Sequence, residues 1–316
     1  MALADHIGLA GPEYEVDIER GKIREFARAM AAPLPEFTEG RHPVIPATFL
    51  VSAPYTWGYT LERPRGTVFE TIGFDPAVSL HGEEEFRFFG PMLKAGDRLV
   101  ARSIIEDIRE KRGASGGKLT FAVTLTQYRG LDGVLRAEQR TTSVATEQTP
   151  GSQDWNVDLP QYHADYRELD GRRCFDAVER ACFSDLAEGE GPGPIHAGPL
   201  MLQDIVRFQG VVGEDNALHH DADWARQNGY PDVFALGMHQ ASMLASYAGH
   251  WLPPEAVRSF KVRFHKVYWP GDRLVYAGRV AGLDSAARIA DLYLTTTREN
   301  GDLVNEVWMQ LDFNHR

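Results

Sequence analysis

The chain has 316 residues, 43% hydrophobic and 25% charged, an ordinary globular composition long enough for two cores of about 150 residues each. Its 45 acidic and 33 basic side chains leave a formal net charge of −12, which excludes a general nucleic-acid binder, because phosphate neutralisation needs clustered Lys and Arg. Two cysteines, Cys174 and Cys182, exclude a disulfide scaffold and a four-thiolate metal site. The N-terminal MALADHIGLAGPEYE has no basic segment followed by an apolar core, so no secretory signal is read there and a cytoplasmic protein is expected. PATFLVSAPYTWGY, from Pro46, reads as an apolar helix. Further on, Phe121, Val123 and Leu125 alternate with Ala122, Thr124 and Thr126 before an RGLDG turn, as in an antiparallel hairpin with one face buried. TPGSQDWNVDLPQYHADYREL and EGEGPGPIHAGP read as linker. VFALGMHQASMLASYAGHWL is apolar nearly all round, the mark of an enclosed helix, and Gly249 with Pro253 and Pro254 is expected to stop it. The uncharged run Val233–Pro254 carries His239, Gln240, Ser242, Ser246 and His250, so it predicts a buried helix rather than a membrane span. Ala290, Leu292 and Leu294 then alternate with Asp291, Tyr293 and Thr295 before an ENGD turn.

The pentapeptide GDRLV occurs at Gly96–Val100 and again at Gly271–Val275, with Phe89 and Phe264 at matching positions ahead of it. Matching strand patterns and turns flank both copies, which predicts a duplicated domain: one apolar helix followed by four long antiparallel strands, twice, an α+β pattern. The expected division is an N-terminal domain over 1–148, a connector over 149–198 and a C-terminal domain over 199–316.

The stretch from Ile205 to Met238, IVRFQGVVGEDNALHHDADWARQNGYPDVFALGM, holds Gly213, Asn216, His219 and Asp221, then Ala225, Gly229, Tyr230, Gly237 and Met238. In that spacing it resembles the hydratase motif of the MaoC-like (R)-specific enoyl-CoA hydratases and 3-hydroxyacyl dehydratases, S-G-D-x-N-P-x-H-x-D followed by A-x-x-x-G-[FY] and H-G-M. EVDIERGKIREFARAM with HPVIPATF resembles the N-terminal domain of tandem members, so the resemblance covers nearly the whole chain and implies a double hot-dog fold, two long antiparallel sheets each wrapped on a central helix. Three positions depart from the motif: Glu214 stands at the catalytic Asp, Ala217 at the Pro and Leu236 at the His of H-G-M. The resemblance implies Glu214 as base and acid, with the adjacent Asp215 as the other candidate carboxylate, and His219 as the group that polarises water. It implies that the Gly237 N–H receives the oxyanion, with Met238 beside it, and that Asn216 fixes the carboxylate turn. The substrate would be an acyl-CoA thioester, with no metal and no organic cofactor. A homodimer, or a hetero-complex, is the expected assembly, with no membrane or nucleic-acid partner.

Setting Ile23 and Phe26 against Ile205 and Phe208 places Ala32 opposite Glu214 and Phe37 opposite His219, so the first half lacks both the base and the imidazole. Phe37 to Thr48 spans 11 steps against 18 from His219 to Gly237, and the shortened overhang leaves room for a bulky, branched or long acyl group. Phe49, Tyr55, Trp57 and Tyr59 are candidates to line that space. His219, His220 and Asp221 would be a metal cluster only if their side chains converged, and Asp221 reads better as the cap of DADWARQNG. Lys261, Arg263 and Lys266 are a solvated strand face or a site for CoA phosphates. Two other readings stand beside hydration of a trans-2-enoyl-CoA to the (3R)-3-hydroxyacyl-CoA, or its reverse. One is hydration of a mesaconyl-type branched dicarboxyl thioester, which Arg207 or Arg226 would favour. The other is an impaired acyl-CoA-binding subunit of a larger complex.

Overall fold

Each GDRLV segment turns on a glycine in the left-handed region, Gly96 at φ 96° and Gly271 at φ 93°, and runs directly into a strand. The computed structural model describes residues 3–61, 63–74, 79–113, 117–146 and 175–314. In the first half the strands are β1 (Tyr14–Asp17), β2 (Ser79–Phe88), β3 (Arg98–Arg112), β4 (Lys118–Gly130) and β5 (Leu135–Thr146). The second half has β6 (Ile195–Ala197), β7 (Val257–Phe264), β8 (Leu274–Asp284), β9 (Ile289–Arg298) and β10 (Leu303–Asp312). Among the described residues all these pairings are antiparallel and join in one ten-stranded sheet of order β1-β3-β4-β5-β2-β7-β10-β9-β8-β6. That order is the same from either end once β1 to β5 are exchanged for β6 to β10, so the duplication is a pseudo-twofold whose axis falls between β2 and β7.

The helices repeat as well. The first half has α1 (Arg20–Ala29), α2 (Pro35–Thr38) and α3 (Ser52–Thr56); the second has α4 (Leu202–Val212), α5 (Ala222–Gln227) and α6 (Gly237–Trp251). α1 packs on α4, with Ile23, Phe26, Ile205 and Phe208 fully buried and the Phe26 and Phe208 rings 5.6 Å apart. The fifteen-residue α6 is buried along nearly its whole length and lies against β8, β9 and β10. This is the α+β double hot-dog arrangement expected of the sequence.

Three details differ from expectation. The apolar segment after Pro46 makes only a 3-10 turn (Phe49–Val51) and the five-residue α3, because Pro54 and Gly58 interrupt a stretch that is otherwise suited to helix. Ile195–Ala197, inside the expected connector, pairs with β8 as β1 pairs with β3. Gly249 does not stop α6 but lies within it, where a Cβ would stand 3.3 Å from Leu34. Residues 149–174, which hold most of the expected connector and Cys174, lie outside the described residues, whereas Cys182 is an exposed free thiol.

Candidate active site

α4 ends at Gly213, whose φ of 83° lets the chain turn sharply and bring Glu214 back over the helix end. The Glu214 side chain is then held at both oxygens. Oε1 accepts from the Asn216 N–H at 2.7 Å, and Oε2 accepts from Gln209 Nε2 at 3.2 Å. Gln209, 5% exposed, also donates from Nε2 to the Asn216 carbonyl at 2.8 Å, and its Oε1 takes Nδ1 of His220 at 2.9 Å. Asn216 caps the 3-10 turn Ala217–His219 by accepting from the Leu218 N–H at 3.1 Å. That turn aims His219 at Glu214.

Between His219 and Gly237 runs an overhang with its own small core, in which Leu218, Ala225, Tyr230, Val233 and Phe234 close on Trp269. Asp221 caps α5 by accepting from the Asp223 and Trp224 N–H groups, and Gly229, at φ 83°, ends it. The overhang delivers the Phe234 carbonyl to His219, whose Nδ1–H donates to it at 2.7 Å. This bond leaves Nε2 as the acceptor nitrogen, and Nε2 lies 3.8 Å from Glu214 Oε2. Burial pushes the imidazole pKa down to about 4, opposed by the Phe234 carbonyl and assisted by neighbouring His220, so the ring is neutral at neutral pH. With a neutral ring the 3.8 Å separation is neither an ion pair nor a hydrogen bond. It is the span that one water bridges by donating to both groups.

Gly237 begins α6, and its N–H has no acceptor among the described residues. A Cβ there would come within 2.9 Å of the Phe264 ring, so glycine is what the close approach requires. The preceding loop is pinned by Tyr268, whose carbonyl accepts from the Ala235 N–H at 3.0 Å and whose hydroxyl donates to the Leu236 carbonyl at 2.6 Å. Glu214, Asn216, His219, Gly237 and Met238 all line one cavity of about 230 Å³. Asp215 does not: its side chain is 74% exposed and turns toward Arg63 at 3.9 Å, so of the two candidate carboxylates the fold brings only Glu214 to His219.

His220 and Asp221 point away from His219, to Gln209 and to the α5 amides, so these three side chains do not converge on one point. Lys261 and Arg263 both bond Glu83 across the β2–β7 seam, outside the cavity lining, whereas Lys266, which bonds Asp302, stands in that lining. Arg207 and Arg226 are absent from the cavity lining, and Arg226 pairs with Asp223 and Asp232. His250 is satisfied by the Ser246 carbonyl, and His239 is buried against Phe208. Of the four aromatics expected to line the space, Tyr55 and Tyr59 do, whereas Phe49 is core against Phe26 and Trp57 packs on the same core.

Residues 5–139 match the family model described as FAS1-like, dehydratase domain region, and residues 186–299 match the MaoC like domain. The chain belongs to the MaoC-like dehydratase family, as a member with two hot-dog repeats. Among relatives of this MaoC-like protein is a UPF0336 protein of Streptomyces coelicolor, 32% identical over 111 residues that cover 32% of this chain and 69% of that one. A solved MaoC-like dehydratase superposes with a TM-score of 0.77 at 22% identity over 99% of this chain and 100% of that one. A Mycobacterium tuberculosis protein described as having a double hot-dog fold superposes with a TM-score of 0.62 at 13% identity, over 97% and 96% of the two chains. No helix among the described residues is long and apolar enough to cross a membrane.

Gln209, the Phe234 carbonyl and Tyr268 complete the MaoC-like site, and none has a signal in the sequence motif. A glutamine inside an amphipathic helix reads as surface, and a carbonyl belongs to every residue. Only the placement of Gln209 one helical turn ahead of Gly213 hints that it faces the Glu214 turn.

Proposed function

We propose that this chain catalyses the reversible addition of water to a trans-2-enoyl-CoA, giving a (3R)-3-hydroxyacyl-CoA. The observation that carries the reading is the approach of Glu214 and neutral His219 to 3.8 Å beside the open N-terminus of α6. A water donating to both acceptors has its lone pair directed at C3 of the enoyl group. As the C3–O bond forms, the water proton passes to Glu214 and the π electrons move through C2 to the thioester oxygen. That oxygen, with the Gly237 N–H and the positive end of the α6 dipole facing it, carries the charge as an enolate. Protonated Glu214 then returns its proton to C2 on the same face, and the carbonyl re-forms, so addition is syn. The dehydration runs through the same groups in reverse.

The thioester itself acidifies C2, so the chemistry calls for no metal and no organic cofactor. The rival dicarboxyl thioester finds no arginine in the cavity lining, among the described residues, to take its second carboxylate. The test is a panel of enoyl-CoAs followed by loss of the conjugated enoyl absorbance, with Glu214→Gln, His219→Gln and Asp215→Asn alongside. Hydration by the wild type and the Asp215→Asn variant but by neither of the others is the expected result. Equal rates for all four proteins, or no hydration by wild type on any member, would sink the reading.

A further inference from the structure

The two halves place chemically opposite residues on the inner face of equivalent hairpins. Gly133 and Gly301, at φ 79° and 88°, close the β4–β5 and β9–β10 turns, and counting back from each sets the strands in one register. Thr124 pairs with Thr141 where Leu292 pairs with Met309; Thr126 pairs with Gln139 where Leu294 pairs with Val307; Ser143 stands where Leu311 does. In the second half those side chains are sealed against α6. In the first half the helix is reduced to α3, and Thr124, Thr126, Gln139, Thr141 and Ser143 face the cavity instead. Removing a covering helix accounts for an empty space, but not for threonine, glutamine and serine at five positions whose counterparts are apolar. An apolar acyl chain would be met better by the apolar set, since a buried hydroxyl or amide without a partner is destabilising.

Polar atoms in this wall, and on β10 beside it, are left unsatisfied. Thr124 Oγ1 and Ser79 Oγ are buried with no partner among the described residues, and both residues line the cavity. Asn305, 1% exposed and also in the lining, has no partner at either Oδ1 or Nδ2 among the described residues. It sits opposite Phe264, whose ring packs at a tilt against His81 with 4.8 Å between centroids. His81 Nε2 bonds Glu84 Oε2 at 2.7 Å, and the fully buried Glu84 also accepts from Thr141 at 3.2 Å, so a fixed polar network backs the same wall.

We infer that the polar wall of the first half, with Asn305 of β10 beside it, is a recognition subsite for an oxygen-bearing acyl group: the thioester substrate carries hydroxyl or carbonyl functions along the part of its chain that lies beyond the reacting carbons. Thr124, Ser79 and Asn305 hydrogen-bond those functions, and the His81–Glu84–Thr141 network holds the wall in place. This deepens the enoyl-thioester reading and rests on it for the nature of the ligand's other end.

The test uses saturated thioesters, which cannot be hydrated, so it reads the subsite apart from catalysis. Octanoyl-CoA and 7-hydroxyoctanoyl-CoA are titrated calorimetrically into the full-length protein. The hydroxylated chain is expected to bind about tenfold more tightly, the worth of one well-made hydrogen bond to an otherwise unpaired group. Thr124→Val and Asn305→Leu remove unpartnered polar atoms without changing side-chain size much. Each is expected to reduce that preference by about threefold or more, and melting curves at or above wild type show that folding is not the cause. Equal affinity for the two thioesters, preference for the plain chain, binding of neither, or an unchanged preference in both variants overturns the subsite. Preference for the hydroxylated chain in a protein that hydrates no enoyl-CoA would leave the subsite standing and remove the proposed reaction alone.

Discussion

The β4–β5 and β9–β10 hairpins pair their residues identically, yet Leu292 is sealed at 1% exposure under α6 while Thr124 at the matching position looks into a cavity. The loops after α1 and α4 differ in the same way. Both helices are followed by a residue in the left-handed region, Ala31 at φ 53° two residues past α1 and Gly213 at φ 83° directly after α4, but the next residue is buried Ala32 in one case and Glu214 in the other. After that point the second half inserts α5 and its small core, and so holds the Phe234 carbonyl over His219. One backbone thus serves as scaffold in one half and as wall in the other. The length of the central helix and of the overhang decides which side chains the sheet must present.

The largest break in this contrast comes at the carboxylate and imidazole. Glu214→Gln and His219→Gln should each lower enoyl-CoA hydration by about 10²–10⁴-fold, the usual share of a general acid–base group, whereas Asp215→Asn should stay within about twofold of wild type; steady-state rates decide this. Next is the inner face of the sheet. Leu292→Thr should lose about 2–5 kcal/mol by leaving a void and an unpaired hydroxyl under α6, while Thr124→Val should lose nothing, as read from denaturant midpoints.

The pH dependence is next in size. Native His219 titrates near 4 and the unfolded residue near 6.5, so between these values the unfolded chain binds more protons than the native one. Stability therefore falls as pH drops from about 6.5 through 4, by a total of about 3 kcal/mol from this group, and is unaffected by it above about pH 7. Unfolding of wild type and His219→Gln measured at pH 4 and pH 7 isolates that contribution; parallel pH profiles for the two proteins would contradict it. Gly237→Ala places a Cβ at 2.9 Å from the Phe264 ring, at about 1–3 kcal/mol, and moves the oxyanion amide, so hydration should drop more than stability does. Smallest is Ala31→Gly, which should raise stability by about 1 kcal/mol by relieving the left-handed alanine, a change with no counterpart at Gly213.

Much of this was legible in the chain. GDRLV located equivalent strand beginnings, the pairing of Ile23 and Phe26 with Ile205 and Phe208 located α1 against α4, and motif spacing located the loop that carries Glu214 and His219. Period-two alternation announced the β4–β5 hairpin but not which face turns inward. Phe121, Val123 and Leu125 are only half-buried, and Thr124 and Thr126, which alternate with them, face the cavity. Apolar residues ordinarily mark the inner face, so that inversion is invisible until the missing helix is seen. The segment after Pro46 misled for a related reason: apolar composition announces burial, and Phe49 and Leu50 are indeed buried, but composition does not set helix length. Glu214 and Asp215 are adjacent and chemically alike. What separates them is the pair of donors, Gln209 Nε2 and the Asn216 N–H, that only the folded turn supplies.

The seam between β2 and β7 makes one polypeptide of two copies, and this has a consequence for mutation. In an assembly of two identical chains, a substitution that opens a polar wall in one protomer appears in its partner as well, where the same position supports the core. Here Thr124 and Leu292 are encoded separately, so the wall can vary without loosening the packing around α6. Changes in which acyl group is accepted should therefore accumulate on β4 and β5, while Leu292, Leu294, Val307, Met309 and Leu311 of β9 and β10 keep their apolar packing under α6.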